Sequence, residues 1–269
     1  MTQLEKRVAH YLLSNPDAIL TQTSNTIAKQ AFVSPMTVSR FFRKLGFHSG
    51  PAARQAVAQQ LASRMPAAID SRFDRYQRHR GQLESESDVK MAVGCVQRAA
   101  EFRRSPQWAE IVQLAAHADS VFAVGLQSMG YLATGLVGRL GYIRPNVHDL
   151  DGADGVYAPF FADTSAKRLL IVIDIFRYGR NGPVLCQAAR DSGADVVVFC
   201  DEHGSWARDI TPHVVSLPSE SGYFFRSTVA IHLCLHMLVQ DVIDVLGEPV
   251  RQQLERMSEA QALFGQYLD

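Results

Sequence analysis

Ser34-Pro35-Met36-Thr37-Val38-Ser39-Arg40-Phe41-Phe42-Arg43-Lys44-Leu45-Gly46 reads as one short helix with both ends marked. Ser34 is an N-cap, because its hydroxyl accepts a backbone N–H that the helix leaves without a partner. Pro35 follows at the first helical position, where a missing N–H costs nothing. Gly46 stands just past the last apolar residue, where a left-handed residue is wanted. Val38, Phe41, Phe42 and Leu45 recur at three- and four-residue spacing and predict a buried stripe. Met36, Thr37, Ser39, Arg40, Arg43 and Lys44 are left facing outward or sideways. A polar leading end followed by basic residues suits a helix in a DNA major groove, its start at base edges and its Arg and Lys at phosphates.

Taken alone, the same pattern describes an amphipathic surface helix. The segment upstream favours the groove helix. Thr26-Ile27-Ala28-Lys29-Gln30-Ala31 reads as a second short helix, and Phe32-Val33 joins it tightly to Ser34. Two short helices joined by a few residues are the helix-turn-helix layout, with Phe32 where such a turn often carries Gly. A preceding helix is marked by Leu4, Val8, Tyr11 and Leu12 and ends at Asn15-Pro16-Asp17. Ala52 to Met65, rich in Ala and Gln, predicts one helix more.

The charge distribution agrees. Net charge over the 269 residues is zero, yet residues 1–80 hold 12 Lys and Arg against 4 Asp and Glu, a net +8, and the remainder is −8. A basic N-terminal part on an acidic body is the footprint of a polyanion partner. Cys95, Cys186, Cys200 and Cys234 are scattered with no CxxC pair, which predicts buried thiols in a reducing compartment. Charged Glu5, Lys6 and Arg7 run straight into an amphipathic pattern, unlike a signal peptide. The apolar run Leu169–Ile173 is too short to cross a bilayer. A cytoplasmic protein with no membrane partner is expected.

Pro66 breaks the helical pattern, and Arg72, Arg75, Arg78 and Arg80 read as a solvated linker helix. Helices are expected over Glu84–Ala100 and Trp108–Ala118. From Ser120 the period changes. Apolar runs at Val121–Val124, Leu169–Ile173, Val196–Phe199 and Val214–Leu217, with a weaker one near Asn146–His148, alternate with helices at about 129–140, 182–192 and 225–246. That alternation predicts a parallel sheet covered on both faces, with ligands in the loops at the carboxyl ends of its strands. The fold class expected is an all-helical helix-turn-helix domain, residues 1–77, joined to an α/β domain, residues 78–269.

The chain resembles the RpiR-type bacterial transcriptional regulators, a helix-turn-helix domain followed by a sugar isomerase (SIS) domain. The resemblance spans nearly the whole chain. It rests on Ser14-Asn15-Pro16, Ile27-Ala28, Val33-Ser34, Thr37-Val38-Ser39-Arg40-Phe41 and Lys44-Leu45-Gly46-Phe47. In the second domain it rests on Val124-Gly125-x-x-Ser128, Ala188-Ala189-x-x-x-Gly193-Ala194, Asp201 with Ser205, and Phe225-x-Ser227 opening the last helix. The resemblance implies a regulator that binds double-stranded DNA and whose SIS-type parallel-sheet α/β sandwich binds a phosphorylated sugar or related metabolite. SIS domains that bind phosphosugars usually carry Ser-x-Ser-Gly-x-Thr/Ser after the strand at Leu169–Ile173. Here the loop is Asp174-Ile175-Phe176-Arg177-Tyr178-Gly179-Arg180-Asn181, so the hydroxyl cradle is replaced by two guanidinium groups and a phenol.

Candidate DNA-contacting residues are therefore Ser34, Met36, Thr37, Ser39, Arg40, Arg43 and Lys44, with Thr37 expected at the groove floor. Candidate ligand residues are Gly125 and Ser128, before a helix N-terminus that favours an anion; Arg177, Tyr178 and Arg180, whose guanidinium forks fit carboxylate or phosphate; and Ser205, Glu220 and Ser227, within reach of sugar hydroxyls. The ligand expected is a small anionic metabolite, a sugar phosphate or sugar acid. His232 and His236 have metal-ligand spacing, but Leu233-Cys234-Leu235 supplies no glutamate and no third ligand is evident, so neither metal nor cofactor is expected. An aldose–ketose phosphate isomerase on the same fold is the alternative, with Glu220, His203 and His232 as available bases. Val250, Leu254, Met257 and Leu263 give residues 249–269 an apolar helical face, expected to pack on a partner subunit in a homodimer or homotetramer.

Overall fold

Val38, Phe41 and Phe42 on the quoted helix are buried together with Val8, Ile27, Ala28, Ala31 and Ala53, and this cluster holds the N-terminal unit. The computed structural model describes residues 1–15, 18–54, 56–57, 73–74, 76–77, 85–150, 157–175 and 178–265, and the chain divides into units Met1–Arg80 and Gly81–Asp269. The first unit contains α1 (Gln3–Ser14), α2 (Ala18–Thr21), α3 (Ser24–Gln30) and α4 (Pro35–Lys44). Thr2 and Glu5 form a capping box on α1, Thr23 caps α3 and Ser34 caps α4. Residues 50–54 and 56–57 are helical; the rest of the helix expected to Met65, and Arg72, Arg75, Arg78 and Arg80, lie outside the described residues.

Two local details differ from the sequence reading. Leu45 is 54% exposed instead of completing the stripe. Gly46 adopts φ +91°, and the Phe47 and Gly46 N–H groups donate to the Phe42 and Arg43 carbonyls at 2.9 and 3.0 Å. This is a Schellman end, in which the residue after the glycine folds back on the last turn. Phe47 consequently packs against the core where Leu45 was expected. In the turn between α3 and α4, Phe32 takes φ 53°, a left-handed conformation that costs a residue with a Cβ about 1–2 kcal/mol. Its ring is exposed beneath the Arg7 guanidinium, 5.8 Å from the ring centre.

The second unit opens with α5 (Ser85–Phe102) and α6 (Pro106–His117) and is built on five parallel strands, β1 (Ser120–Gly125), β2 (Val147–Asp149), β3 (Arg168–Asp174), β4 (Asp195–Asp201) and β5 (His213–Leu217). Their order is β2-β1-β3-β4-β5. Between them lie α7 (Gly130–Ile143), the short α8 (Ala158–Ala162), α9 (Asn181–Asp191) and the short α10 (Ala207–Ile210); α11 (Val229–Leu246) and α12 (Glu248–Ala262) follow. Alternate strand residues enter opposite cores. Val121, Ala123, Leu169, Ile171, Ile173, Val197 and Phe199 pack with α5, α6, α7 and α11. Phe122, Val124, Leu170, Val172, Val196 and Val198 pack with α9, Phe160 and Ala207. Burial on both faces is why these strands are continuous apolar runs.

The helix expected from Phe225 begins at Val229. Ser227 donates its N–H to the Ser219 carbonyl at 2.9 Å and accepts the Val229 N–H at 3.3 Å, which keeps the preceding residues in a loop. Val229–Leu246 is long and apolar enough to cross a membrane by length and composition; eight of its residues are buried in the sandwich core, and this explains the composition. Trp108 Nε1 and Arg103 Nε both donate to Asp241 Oδ2, at 2.7 and 3.0 Å, and link α6 and the turn before it to α11. Arg144, 6% exposed, donates to the Ala115, Ala116 and Ala118 carbonyls at the end of α6, a cation placed on the negative end of a helix. Replacing Arg144 with Met strands those acceptors. Urea unfolding is expected to show a loss of about 1–3 kcal/mol, and an unchanged midpoint would refute the capping role.

Candidate DNA-reading helix and ligand site

On α4 the buried face is Thr37, Val38, Phe41 and Phe42, and the exposed face carries Pro35, Met36, Arg40, Arg43 and Lys44, with Ser39 half-buried at its margin. Thr37 is not at a groove floor. It is 3% exposed, its N–H donates to Ser34 Oγ at 3.2 Å, and the two hydroxyls are 3.0 Å apart. The N-cap geometry that starts the helix turns Thr37 inward, and it engages the Ser34 side chain as well. Lys44 reaches back to Glu5 Oε2 at 3.0 Å. The Thr2 backbone N–H and then Lys44 hold Glu5 below the usual carboxylate range, and Glu5 raises the Lys44 ammonium. Arg43 Nε is 3.5 Å from the Ser39 carbonyl of its own helix. Arg40 has no hydrogen bond or ion pair among the described residues and projects one turn beyond Met36 on the same face.

In the α/β unit the strand order places β1 beside β3 while β2 lies on the other side of β1. The chain reverses its winding there, and in open α/β sheets the carboxyl ends of strands at such a reversal are where ligands bind. Gly125 ends β1. A Cβ on it would lie 2.1 Å from the Met129 carbonyl oxygen, so only glycine lets the chain fold back this tightly. Gln127 is left-handed at φ 54°, Ser128 is exposed in the 3-10 turn Gln127–Met129, and α7 then starts at Gly130 with no side-chain cap. Ser128, a candidate ligand residue, makes no cap hydrogen bond to α7. Among the described residues no side chain caps the first N–H groups of α7, the end of a helix that favours an anion.

The loop after β3 adjoins this turn: the Leu126 N–H donates to the Ile173 carbonyl at 2.9 Å, and Gly182 at the start of α9 faces Leu126. Arg180 is exposed at the N-cap position of α9, while Arg177 lies outside the described residues. Tyr178 is not a free ligand group. Its hydroxyl donates to Asp201 Oδ1, and burial and that carboxylate push the phenol far above its ordinary range. The physical reason is the demand of Asp201. It is fully buried, and it also accepts the His203 N–H at 3.0 Å and the Ser219 hydroxyl at 3.2 Å.

Ser205 is exposed after β4, its N–H donating to the His203 carbonyl at 2.8 Å. Glu220 is exposed after β5, and Ser227 is half-buried before α11. Tyr131 Oη donates to Thr228 Oγ1 at 2.9 Å, joining the start of α7 to the segment before α11, so Ser128 and Ser227 sit beside one polar contact. Neither Tyr131 nor Thr228 has a motif that marks it in the sequence. His232 and His236 are exposed, and His236 Nδ1 is 3.4 Å from the Arg139 guanidinium, a poor neighbour for a metal ion.

A further group carries no sequence motif. Asp174 ends β3 fully buried, and neither carboxylate oxygen has a hydrogen-bond partner among the described residues. Burial, then the charge of Asp201, pushes its pKa up to about 7. It lies under the start of α9, with Oδ2 3.1 Å from where a Gly182 Cβ would sit.

Together the two units describe a helix-turn-helix domain and a SIS-type α/β domain. Residues 1–64 match the helix-turn-helix domain of the rpiR family. Residues within this region align with an uncharacterized HTH-type transcriptional regulator, YfhH of Escherichia coli, at 38% identity over 63 residues; the alignment covers 23% of this chain and 22% of that protein. The sugar isomerase domain of an RpiR transcription factor from Sphaerobacter thermophilus superposes with a TM-score of 0.58 at 17% identity, covering 64% of this chain and 96% of that one. The Vibrio vulnificus NanR protein complexed with ManNAc-6P superposes with a TM-score of 0.56 at 17% identity, covering 98% and 94% of the two chains. The first unit is thus an rpiR-family helix-turn-helix domain, and the second has the fold of such a sugar isomerase domain.

The Asp174 environment has a measurable consequence. Its folded-state pKa of about 7 lies above the ordinary 3.8, so the native state keeps a proton that the unfolded chain has released. The associated stability is complete below about pH 4 and is lost as pH rises through about 7. Asp174→Asn is expected to match the unaltered chain in urea unfolding at pH 4 and to exceed it by about 2–4 kcal/mol at pH 8. Parallel pH profiles for the two proteins would contradict the assignment.

Proposed function

We propose that this chain is a DNA-binding transcriptional regulator whose SIS-type unit senses a small anionic metabolite, a sugar phosphate or sugar acid. The observation that carries the reading is the presence, in one chain, of an rpiR-family helix-turn-helix and an α/β crevice walled by an uncapped helix N-terminus. Met36, Ser39, Arg40 and Arg43 meet the operator, with Lys44 sharing its charge between Glu5 and phosphate. Ser34 and Thr37 serve as the cap that shapes the leading end. The anion binds at the turn Gly125–Ser128 before α7, with Arg180 in reach; Ser205, Glu220 and Ser227 ring the same strand ends and meet hydroxyls. A sugar phosphate bound to NanR, which shares this architecture, supports that ligand class.

The chain acts as a regulator and not as an isomerase in this reading. His203 is drawn to Glu202, with Nε2 3.5 Å from Oε1, and Glu220 and His232 are exposed on separate elements. Its setting is the cytoplasm and its form a homodimer or homotetramer. Leu254, Leu263 and Phe264 on and after α12 are exposed and give a partner subunit apolar surface.

Two measurements test the reading. In a thermal-shift screen, sugar phosphates or sugar acids should raise the melting temperature by mass action while their neutral parent sugars leave it unchanged. A charge-assisted contact worth about 1.5–3 kcal/mol separates the two classes. No shift with any anion would refute the ligand class. Arg40→Ala and Arg43→Ala should each weaken operator binding, and a phosphate-contacting arginine should lower the salt slope by about one. Unchanged binding in both would refute the groove-helix assignment.

A further inference from the structure

We infer that the leading end of α4 reads a thymine in the operator through its 5-methyl group, with Met36 as the reading side chain and Pro35 beside it. The inference rests on the proposed DNA-binding function and adds the base that this end selects. The reading helix meets base edges with its N-terminal residues. The first four side chains of this end are Ser34, Pro35, Met36 and Thr37. The two hydroxyls, which elsewhere hydrogen-bond to bases, face each other at 3.0 Å, and Ser34 Oγ also accepts the Thr37 N–H. Thr37 is 3% exposed and turned into the core. Pro35 is exposed and has no N–H to donate.

What remains is Met36, 68% exposed and outside the core cluster of its unit, one helical turn before Arg40 on the same face. A thioether brings no strong donor or acceptor to a base edge. In the major groove the apolar feature of a base edge is the thymine methyl, and apolar side chains are its partners. The unbranched, polarizable Met side chain adapts to such a small apolar target. Exposed apolar surface at the tip of the reading helix thus has a stated occupant, and Arg40, behind it, supplies the charge that holds the helix in the groove.

The test uses the full chain and an operator enriched from a random duplex library. Each thymine of the half-site is replaced in turn by deoxyuridine, which removes the methyl and keeps the pairing. One thymine per half-site should lose about fourfold in affinity, the worth of one buried methyl. Met36→Ala, at an exposed position, should fold normally by circular dichroism and abolish the difference between thymine and uracil at that base. Arg40→Ala should weaken binding and preserve the difference. Met36→Gln should shift the enriched base to adenine, which Gln pairs bidentately. An operator indifferent to every methyl removal, or a methyl effect that persists undiminished in Met36→Ala, would overturn the inference and leave the DNA-binding reading intact. Enrichment of no sequence at all would overturn that reading and this inference with it.

Discussion

The pairing of β1 with β3 is the constraint on which the α/β unit depends. Ser120–Gly125 lies in register against Arg168–Ile173, and β2 and β4 add on opposite sides. Had β1 taken β2 and β3 on one side, the loops after Gly125 and Asp174 would leave toward the same face and close over each other. With β1 central to the reversal, the two loops diverge and a crevice forms between them. Gly125 then permits the return of the chain to Met129, and the crevice acquires a helix N-terminus as its wall. Backbone donors positioned by sheet pairing depend on no particular side chain, so a proposed anion site at this edge does not require a hydroxyl cradle after β3.

That replacement loop has a different internal chemistry. Tyr178 is turned down onto Asp201, and Asp174 is buried beneath the start of α9 with no hydrogen-bond partner among the described residues. A buried carboxylate at the positive end of a helix occupies the kind of position in which an anionic ligand is stabilised. The α9 side of this edge already holds an acidic group that is half ionised near neutral pH, so the proposed anion falls to the α7 side. Glu202 is raised by burial as well, although its Oε2 accepts the Ser219 N–H at 3.0 Å. The carboxyl edge of the sheet thus holds two acidic groups that burial raises above the usual carboxylate range.

Much of the architecture was legible in the sequence, because period and end signals are local. Ser34, Pro35 and Gly46 delimit α4 as read, and the four strong apolar runs are strands buried on both faces. The misreadings come from groups whose environment is not local. Leu45 has the right spacing for the core, but the Schellman end rotates it away and brings Phe47 in. Thr37 is polar and was placed outward, yet its cap bond to Ser34 turns it in. Tyr178 reads as a ligand group in the loop after β3, yet Asp201, 23 positions beyond it, decides where the phenol points. The contact of Tyr131 with Thr228 spans 97 positions and has no sequence signature.

The proposed regulator couples an anion site to a DNA-reading helix within one chain. Coupling is reciprocal: a ligand that changes operator affinity must have its own affinity changed by the same factor. The most direct measurement is fluorescence anisotropy of the full chain on its enriched operator, titrated with the sugar phosphate or sugar acid that raises its melting temperature. Operator affinity should change by about 5–150-fold, over ligand concentrations between its dissociation constants for the free and the operator-bound chain. An operator affinity that stays constant while the ligand saturates its site would contradict the account.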